Sequence, residues 1–329
     1  MKNILVGGQY GDEGKGKIIS YLAIKDNPEV IARGGVGPNA GHEVHYKGKR
    51  YPMRMLSCGF VNEKSRILTG AGVVVDPNVF LKEVELIGRN PERCGVDFRA
   101  TWLTEEHIER DKAQTPGKIG STNTGCGPAV KDRAGRVAKR VEECPELKPY
   151  LTDVVKEVNE AKNVLIEGSQ GFMLSVLYGT YPYVTSKDVS ASSIAADVGI
   201  GPKNIDDVIM VIKAYTTRVG GGPFKGEQDK ESAEKVGMQE YGTVTGRPRR
   251  TSFELHWDDL KLAATINSAT QLAVTKVDIK FPGNEGVRKY ADLTAEAKKF
   301  VEEIEAKMEI PVALIGTGPD TEDVIDRRE

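Results

Sequence analysis

Gly7-Gly8-Gln9-Tyr10-Gly11-Asp12-Glu13-Gly14-Lys15-Gly16-Lys17 is the stretch that decides the fold. An apolar run, Ile4-Leu5-Val6, precedes it, and Ile18-Ile19-Ser20-Tyr21-Leu22 follows with helical spacing, so the order is strand, glycine turn, helix. Five glycines within residues 7–16 free the backbone for positive φ and for close approach to a ligand. Amides at the start of a helix then point at an anion and gain from the helix dipole. From Gly11 the spacing is G-x-x-x-x-G-K, that of a phosphate-binding loop, but Ile18 stands where a magnesium-binding Ser or Thr is expected. A metal held here needs another ligand, and Asp12 inside the loop is the obvious carboxylate. A glycine turn with two solvated lysines is the bland alternative, and it leaves the strand–loop–helix order unexplained.

Outward from this loop, apolar runs alternate with helical patterns. Strands are expected at 4–8, 30–32, 66–69, 163–166, 208–215, 272–276 and 312–315, and helices at 146–161 and 295–308. The alternation predicts an α/β fold: a mainly parallel central sheet with crossover helices and long ligand-binding loops. No repeat or low-complexity linker divides the chain, so residues 1–329 are read as a single domain. A net charge of −2 gives no global field to attract nucleic acid or an anionic membrane, and no apolar stretch reaches membrane-spanning length. The four cysteines are dispersed without a C-x-x-C pair, which argues against zinc and against a disulfide framework. With no secretory-signal pattern at the start, a reducing cytoplasm is the expected compartment.

Glycine gathers in five further loops, at 34–42, 120–128, 167–171, 179–186 and 242–250. In open α/β sheets, ligands bind beyond the carboxyl ends of strands, where such loops converge. The run Leu272-Ala273-Val274-Thr275-Lys276-Val277-Asp278 ends in T-K-x-D, like the N-K-x-D element that reads guanine in GTPases. A carboxylate accepts from the N1–H and 2-amino group of guanine, a donor pair that adenine lacks. Asp278 would therefore select GTP over ATP, although a surface Lys–Asp pair also fits these four letters alone. Arg247, Arg249 and Arg250 make a dense cationic loop suited to a dianionic small substrate, since arginine forks bind carboxylates and phosphates in bidentate fashion. His42, after Asn39-Ala40-Gly41, is a candidate acid if Asp12 in a facing loop is the base.

Together these stretches resemble adenylosuccinate synthetase in its compact archaeal-type form. G-Q-Y-G-D-E-G-K-G-K (8–17), N-A-G-H (39–42), G-T-Y-P-Y-V-T-S (179–186), T-G-R-P-R-R (245–250), T-K-V-D (275–278) and T-G-P (317–319) occur in the family's order along essentially the whole chain. The resemblance implies GTP-dependent ligation of IMP and L-aspartate to adenylosuccinate via 6-phosphoryl-IMP, the first committed step from IMP to AMP. GTP would be a co-substrate, with one Mg²⁺ per subunit held by Asp12 and the Gly41 carbonyl. Under the resemblance, Asp12 removes the N1 proton of IMP and His42 donates to the phosphates, with Lys15 and Gln170 completing the catalytic set.

The GTP phosphates would lie against Gly11, Asp12, Glu13, Gly14, Lys15, Gly16, Lys17, Gly41 and His42. At the next position the resemblance implies a threonine contact to GTP; this chain has Glu43 there, so that contact has no assigned equivalent. Lys276, Asp278, Thr317, Gly318 and Pro319 match the guanine side. For IMP the matching positions are Asp12, Asn39, Ala40, Thr122, Gln170, Thr185 and Arg247. Arg136 matches an arginine that reaches the neighbouring subunit's site, which implies a homodimer. Thr243, Thr245, Arg247 and Arg249 match the aspartate loop. Three departures stand out: Val244 replaces a frequent Thr, Pro248 an Arg, and Asn123-Thr124 a common G-R pair. A regulatory GTPase is the main rival, but it leaves N-A-G-H and the arginine loop unused and needs the hydroxyl that Ile18 replaces. A dGMP-using synthetase is the other alternative; its relatives have lost the loop aspartate, which is retained here as Asp12.

Overall fold

In the computed structural model, residues 1–114, 120–242 and 246–328 are described. Ten strands make the central sheet: β1 (Lys2–Gly7), β2 (Val30–Arg33), β3 (Arg66–Thr69), β4 (Cys94–Asp97), β5 (Leu151–Thr152), β6 (Val164–Gly171), β7 (Asp207–Lys213), β8 (Gln271–Thr275), β9 (Val312–Gly316) and β10 (Val324–Asp326). Their order across the sheet is β10-β9-β8-β7-β1-β6-β2-β3-β4-β5, and every neighbouring pair is parallel except β9 with β10.

The apolar runs are continuous because both sheet faces are covered. Ile4 and Val6 of β1 point into one core, shared with Ile166, Met210, Ile212, Leu272 and Val274. Leu5 points into the other, with Leu165, Ile209, Val211 and Ala273.

From β1 the chain crosses to β2 and moves outward through β3, β4 and β5. It then returns to lay β6 between β1 and β2, and crosses again to β7 on the far side of β1. The direction of winding therefore reverses around β1 and β6, and a crevice opens there beyond the carboxyl ends of the strands. β6 also carries an irregularity: Leu5 pairs with Glu167, but Gly7 pairs with Gly171, so extra β6 residues bulge between them. Such bulges re-aim side chains beside functional sites, and Gln170 sits in this one with φ 59°.

All seven expected strands are present, with bounds shifted by a residue or more at several ends. The helix 295–308 matches Ala295–Met308, whose N-cap Thr294 accepts from the Ala297 amide. The helix expected at 146–161 is not continuous. It divides into a 3₁₀ segment Pro145–Tyr150, the strand β5 and a helix Val154–Glu160. Pro149 has no N–H to continue a helix and disfavours helical backbone in the residue before it. Asp153 then caps a new start by accepting from the Lys156 amide. Leu147, Val154 and Val158 are all buried as the periodicity suggested, but from separate elements.

Candidate active site

A cavity of about 770 Å³ lies at this crevice. That is the upper part of the range for small-molecule sites and gives room for more than one ligand. Each of the five glycine loops contributes to its wall: Asn39 and Ala40, Thr122 and Thr124, Gln170, Thr185, and Arg249 come from them in turn. Gly11, Asp12, Glu13, Gly14, Lys15 and Gly16 form the floor.

The helix α1 (Lys15–Asp26) begins at Gly14, which has φ 88° and offers no side chain to its first amides. An uncapped helix start facing a cavity is a ready anion site. Glu13 does not point into that space. It is fully buried, and its Oε1 accepts from the Gly11 amide at 2.9 Å and the Gln9 amide at 3.1 Å. Its Oε2 lies 2.5 Å from Lys15 Nζ. Glu13 thus folds the loop on itself and stores the Lys15 cation beside the place where a phosphate would sit.

Asp12 has φ 59°, in the left-handed region that few non-glycine residues adopt. Its carboxylate is paired with the Arg249 guanidinium. Burial alone would raise the Asp12 carboxyl; Arg249, Lys213 and Lys15 outweigh it and hold the group below the usual carboxylate range.

His42 is nine-tenths buried, and its Nδ1 is bonded to Glu167 Oε1. Arg33 Nη1 lies 3.0 Å from both of those atoms. Glu167 Oε2 accepts from Ser57 Oγ at 2.5 Å and from the Cys58 amide at 2.8 Å. His42, Cys58 and Glu167 bring potential ligand atoms within 4.8 Å of one another, but the Arg33 cation already fills the approach, so the cluster is a charge network. Burial, then Arg33, push the imidazole down to about 4 against the pull of Glu167. Burial opposes ionisation of Glu167, but Arg33 and His42 bring it to about 2.

The sign of the pH effect follows. The unfolded imidazole, near 6.5, takes up a proton that the folded one refuses until about pH 4. Unfolded glutamate, near 4.5, binds protons that folded Glu167 refuses until about pH 2. In both windows the unfolded chain binds more protons, so stability falls with acid. Denaturation midpoints should drop from pH 6.5 to 4 and again below 4.5; a flat midpoint over both ranges would contradict this account.

Glu43, next to His42, also lines the cavity. Its carboxylate is held by two side chains of its own hairpin: Oε1 lies 2.7 Å from His45 Nε2, and Oε2 accepts from Arg50. A glutamate tied back in this way offers no hydroxyl in place of the threonine that the resemblance implied.

Three residues placed together by sequence meet in one hydrogen-bond chain. Gln170 Nε2 donates to Asn39 Oδ1 at 3.2 Å, and Asn39 Nδ2 donates to Thr185 Oγ1 at 3.2 Å. Ser169 Oγ steadies Gln170 by donating to its Oε1 at 2.5 Å. Thr122 lines the same cavity, with its hydroxyl 3.0 Å from that of Thr124. Asn123 makes the turn between them with φ 55°, a conformation that suits Asn.

Other expected residues lie off the cavity wall. Lys17 Nζ donates to the carbonyls of Gly318, at 2.7 Å, and Asp320, so it clamps α1 to the loop after β9 instead of facing the cavity. Burial lowers it to about 8, against Asp323, Asp278 and Asp320. Thr317 supports the same loop by donating to the Val287 carbonyl at 2.6 Å, and Pro319 beside it is exposed. Lys276 reaches the cavity, whereas Asp278 is buried just behind, with its carboxyl raised by that burial. Arg247 Nη2 donates to the Ser121 carbonyl at 2.7 Å, tying two glycine loops together. Arg136 is exposed, outside the cavity, with φ 62°. Thr243, Val244 and Thr245 lie outside the described residues.

The sequence profile of adenylosuccinate synthetase matches this chain over residues 4–148 and 142–282. The chain belongs to the adenylosuccinate synthetase family. It is 54% identical to the adenylosuccinate synthetase of Thermococcus onnurineus, over 99% of this chain and 98% of the relative. It is 53% identical to that of Archaeoglobus fulgidus over the same shares. The solved structure of fully ligated adenylosuccinate synthetase from Plasmodium falciparum superposes with a TM-score of 0.93 at 26% identity, covering 99% of this chain and 100% of that one. As a member of the adenylosuccinate synthetase family the chain is a GTP-using ligase of purine biosynthesis.

Sequence reading of this family member left out Arg33, Glu167, Lys213 and Glu240. The first three shared a usable signal. Each is a charge set at or near the end of an apolar parallel strand, where a charged side chain must find a buried partner.

Proposed function

We propose that this chain joins IMP to L-aspartate at the expense of GTP, giving adenylosuccinate, GDP and phosphate through 6-phosphoryl-IMP. The observation that carries this reading is the position of Asp12. It lies in the phosphate loop, shares its cavity with the Asn39–Gln170–Thr185 chain, and is paired with an arginine of the loop assigned to aspartate.

The amides of Gly14, Lys15 and Gly16 would bind the transferring phosphoryl group, and Lys15 would leave Glu13 to meet it. Asp12, held ionised, would take the N1 proton of IMP, so that the 6-oxygen attacks the γ-phosphorus and GDP leaves. The His42 Nδ1 edge faces Glu167 and Arg33, which leaves Nε2 as the edge toward the cavity. Incoming phosphate charge would favour the protonated ring, whose Nε2–H then donates to the departing GDP. Aspartate would enter with its carboxylate on Arg249, displacing Asp12 from that guanidinium. Its amine then replaces phosphate at C6. Hard oxygen donors suit Mg²⁺: the Asp12 carboxylate and Gly41 carbonyl would hold it, offsetting phosphate charge in place of the hydroxyl that Ile18 lacks.

Asn39, Ala40, Thr122, Gln170 and Thr185, with Arg247 supporting the Ser121 turn, would hold IMP, and Arg136 would reach a second subunit's site in a homodimer. Thr243 and Thr245 stay assigned to aspartate. Lys276 and Asp278 would read guanine against the loop 317–319, with Lys17 holding that loop. One domain acting in the cytoplasm is part of the same reading; among the described residues no helix is long and apolar enough to cross a membrane.

Adenylosuccinate formation, assayed with IMP, aspartate, GTP and Mg²⁺ and with each omitted in turn, tests the whole. Turnover needing all four supports the ligase; GTP hydrolysis indifferent to IMP and aspartate would favour the switch-type GTPase. Turnover with dGMP in place of IMP would move the purine assignment. Asp278→Asn should cut the preference for GTP over ATP by about tenfold or more, the value of a lost charged hydrogen-bond pair. An unchanged GTP/ATP ratio of kcat/KM would remove Asp278 from the guanine site.

A further inference from the structure

Lys213 ends β7 and is fully buried. Its ammonium lies 2.8 Å from Glu240 Oε2 and also donates to the Thr217 hydroxyl. Tyr215 donates its hydroxyl to the other carboxylate oxygen, Glu240 Oε1, at 2.6 Å. Both oxygens of Glu240 are therefore engaged from behind, although the residue lines the cavity.

The backbone of Glu240 carries the arginine segment. The Arg249 amide donates to the Glu240 carbonyl at 2.8 Å, and Gln239 Nε2 bridges the carbonyls of Glu240 and Arg249 at 2.8 and 3.0 Å. On its other side Lys213 is bound to the phosphate loop. Its amide donates to Gln9 Oε1 at 2.9 Å, and the Gln9 amide rests on Glu13 at 3.1 Å. One residue thus joins the loop bearing Asp12, through its main chain, to the segment bearing Arg249, through its side chain.

We infer that Lys213 and Glu240 are a positioning pair for the amino-acid subsite: their ion pair, buried at Lys213 and partly buried at Glu240, fixes where Arg249 presents its guanidinium to the carboxylate of L-aspartate. This rests on the ligation reading above. A buried ion pair is a poor way to gain stability, because desolvation of both charges offsets their attraction and an apolar pair of similar size serves folding as well. What a charged pair supplies and an apolar one does not is direction, since hydrogen-bonded carboxylate and ammonium tolerate little change of angle or distance.

The test uses the double variant Lys213→Met with Glu240→Gln, which removes both charges and so leaves neither without its partner. Expected are a Tm close to that of the unaltered protein, a KM for aspartate raised about tenfold or more, and KM values for GTP and IMP within about twofold, in keeping with loss of one well-placed charged contact. The single Lys213→Met variant should lose Tm as well, because Glu240 keeps its charge without its cation. A double variant with unaltered aspartate KM, or with all three KM values raised alike, overturns the positioning role. Calorimetric titration of L-aspartate into both proteins, saturated with IMP and GDP, gives the same comparison without turnover. Absence of turnover in the unaltered protein would then overturn the ligation reading, whereas equal aspartate affinity in the two proteins would overturn the pair.

Discussion

Asp12→Asn should abolish adenylosuccinate formation, lowering kcat by about a thousandfold or more, while GTP affinity changes by less than about tenfold. General-base action alone accounts for about 10²–10⁴ in rate, and an amide can neither take the N1 proton nor match the carboxylate as a metal ligand. The fold should survive the change. Asp12 sits at φ 59°, and Asn is among the few residues that adopt that conformation readily. The amides of residues 14–16, proposed above to bind phosphate, do not depend on its charge, because Glu13, not Asp12, pins the loop. Steady-state assays paired with calorimetric GTP binding separate the two effects. An Asn variant within tenfold of normal turnover would remove Asp12 as the base.

Glu167→Ala should have the largest effect on stability. It strips the acceptor from Arg33, which is 2% exposed, and from His42, Ser57 and the Cys58 amide. Removing one partner of a buried charge network costs about 3–5 kcal/mol, chiefly because the remaining charge is left unpaired. Glu167→Gln keeps the shape and one acceptor oxygen, so it should fold better and show the catalytic part of the loss. Without the carboxylate, His42 Nδ1 has no anion to hold it and the ring no longer presents Nε2 in one orientation, so kcat should fall about tenfold or more. Chemical denaturation and kcat of the two variants check this. Stability of the Ala variant within about 1 kcal/mol of normal, well below the cost of a lost buried partner, would show that Arg33 finds another anion.

Much of this architecture is written locally. The β1 loop announces itself because the amides at the start of α1, the glycines that expose them and the flanking strand and helix are contiguous. Ala295–Met308 is legible for a similar reason: Thr294, Phe300, Val301 and Ile304 give the cap and the buried stripe within one segment. The segment 145–161 misled because burial has the same spacing whether Leu147, Val154 and Val158 share a helix or not, and Pro149 decides between them. The edge strands β5 and β10, and β4 beside β5, are short and take their form from neighbours far away in sequence.

In the site, residues facing the cavity were recognisable from motifs, but their supports were not. Glu167, Arg33 and Lys213 matter through partners 134, 125 or 27 positions distant, and no local pattern states such pairings. The resemblance implies Lys17 as a phosphate ligand; only the path of the loop after β9 reveals that carbonyls 301 and 303 residues away already take its ammonium.

That long clamp bears on how the molecule comes into being. Lys17 leaves the ribosome 301 and 303 residues ahead of Gly318 and Asp320, whose carbonyls hold its ammonium. Over that interval a nascent chain carries the glycine loop before α1 without the frame that braces this helix. The loop is made long before its surroundings are complete.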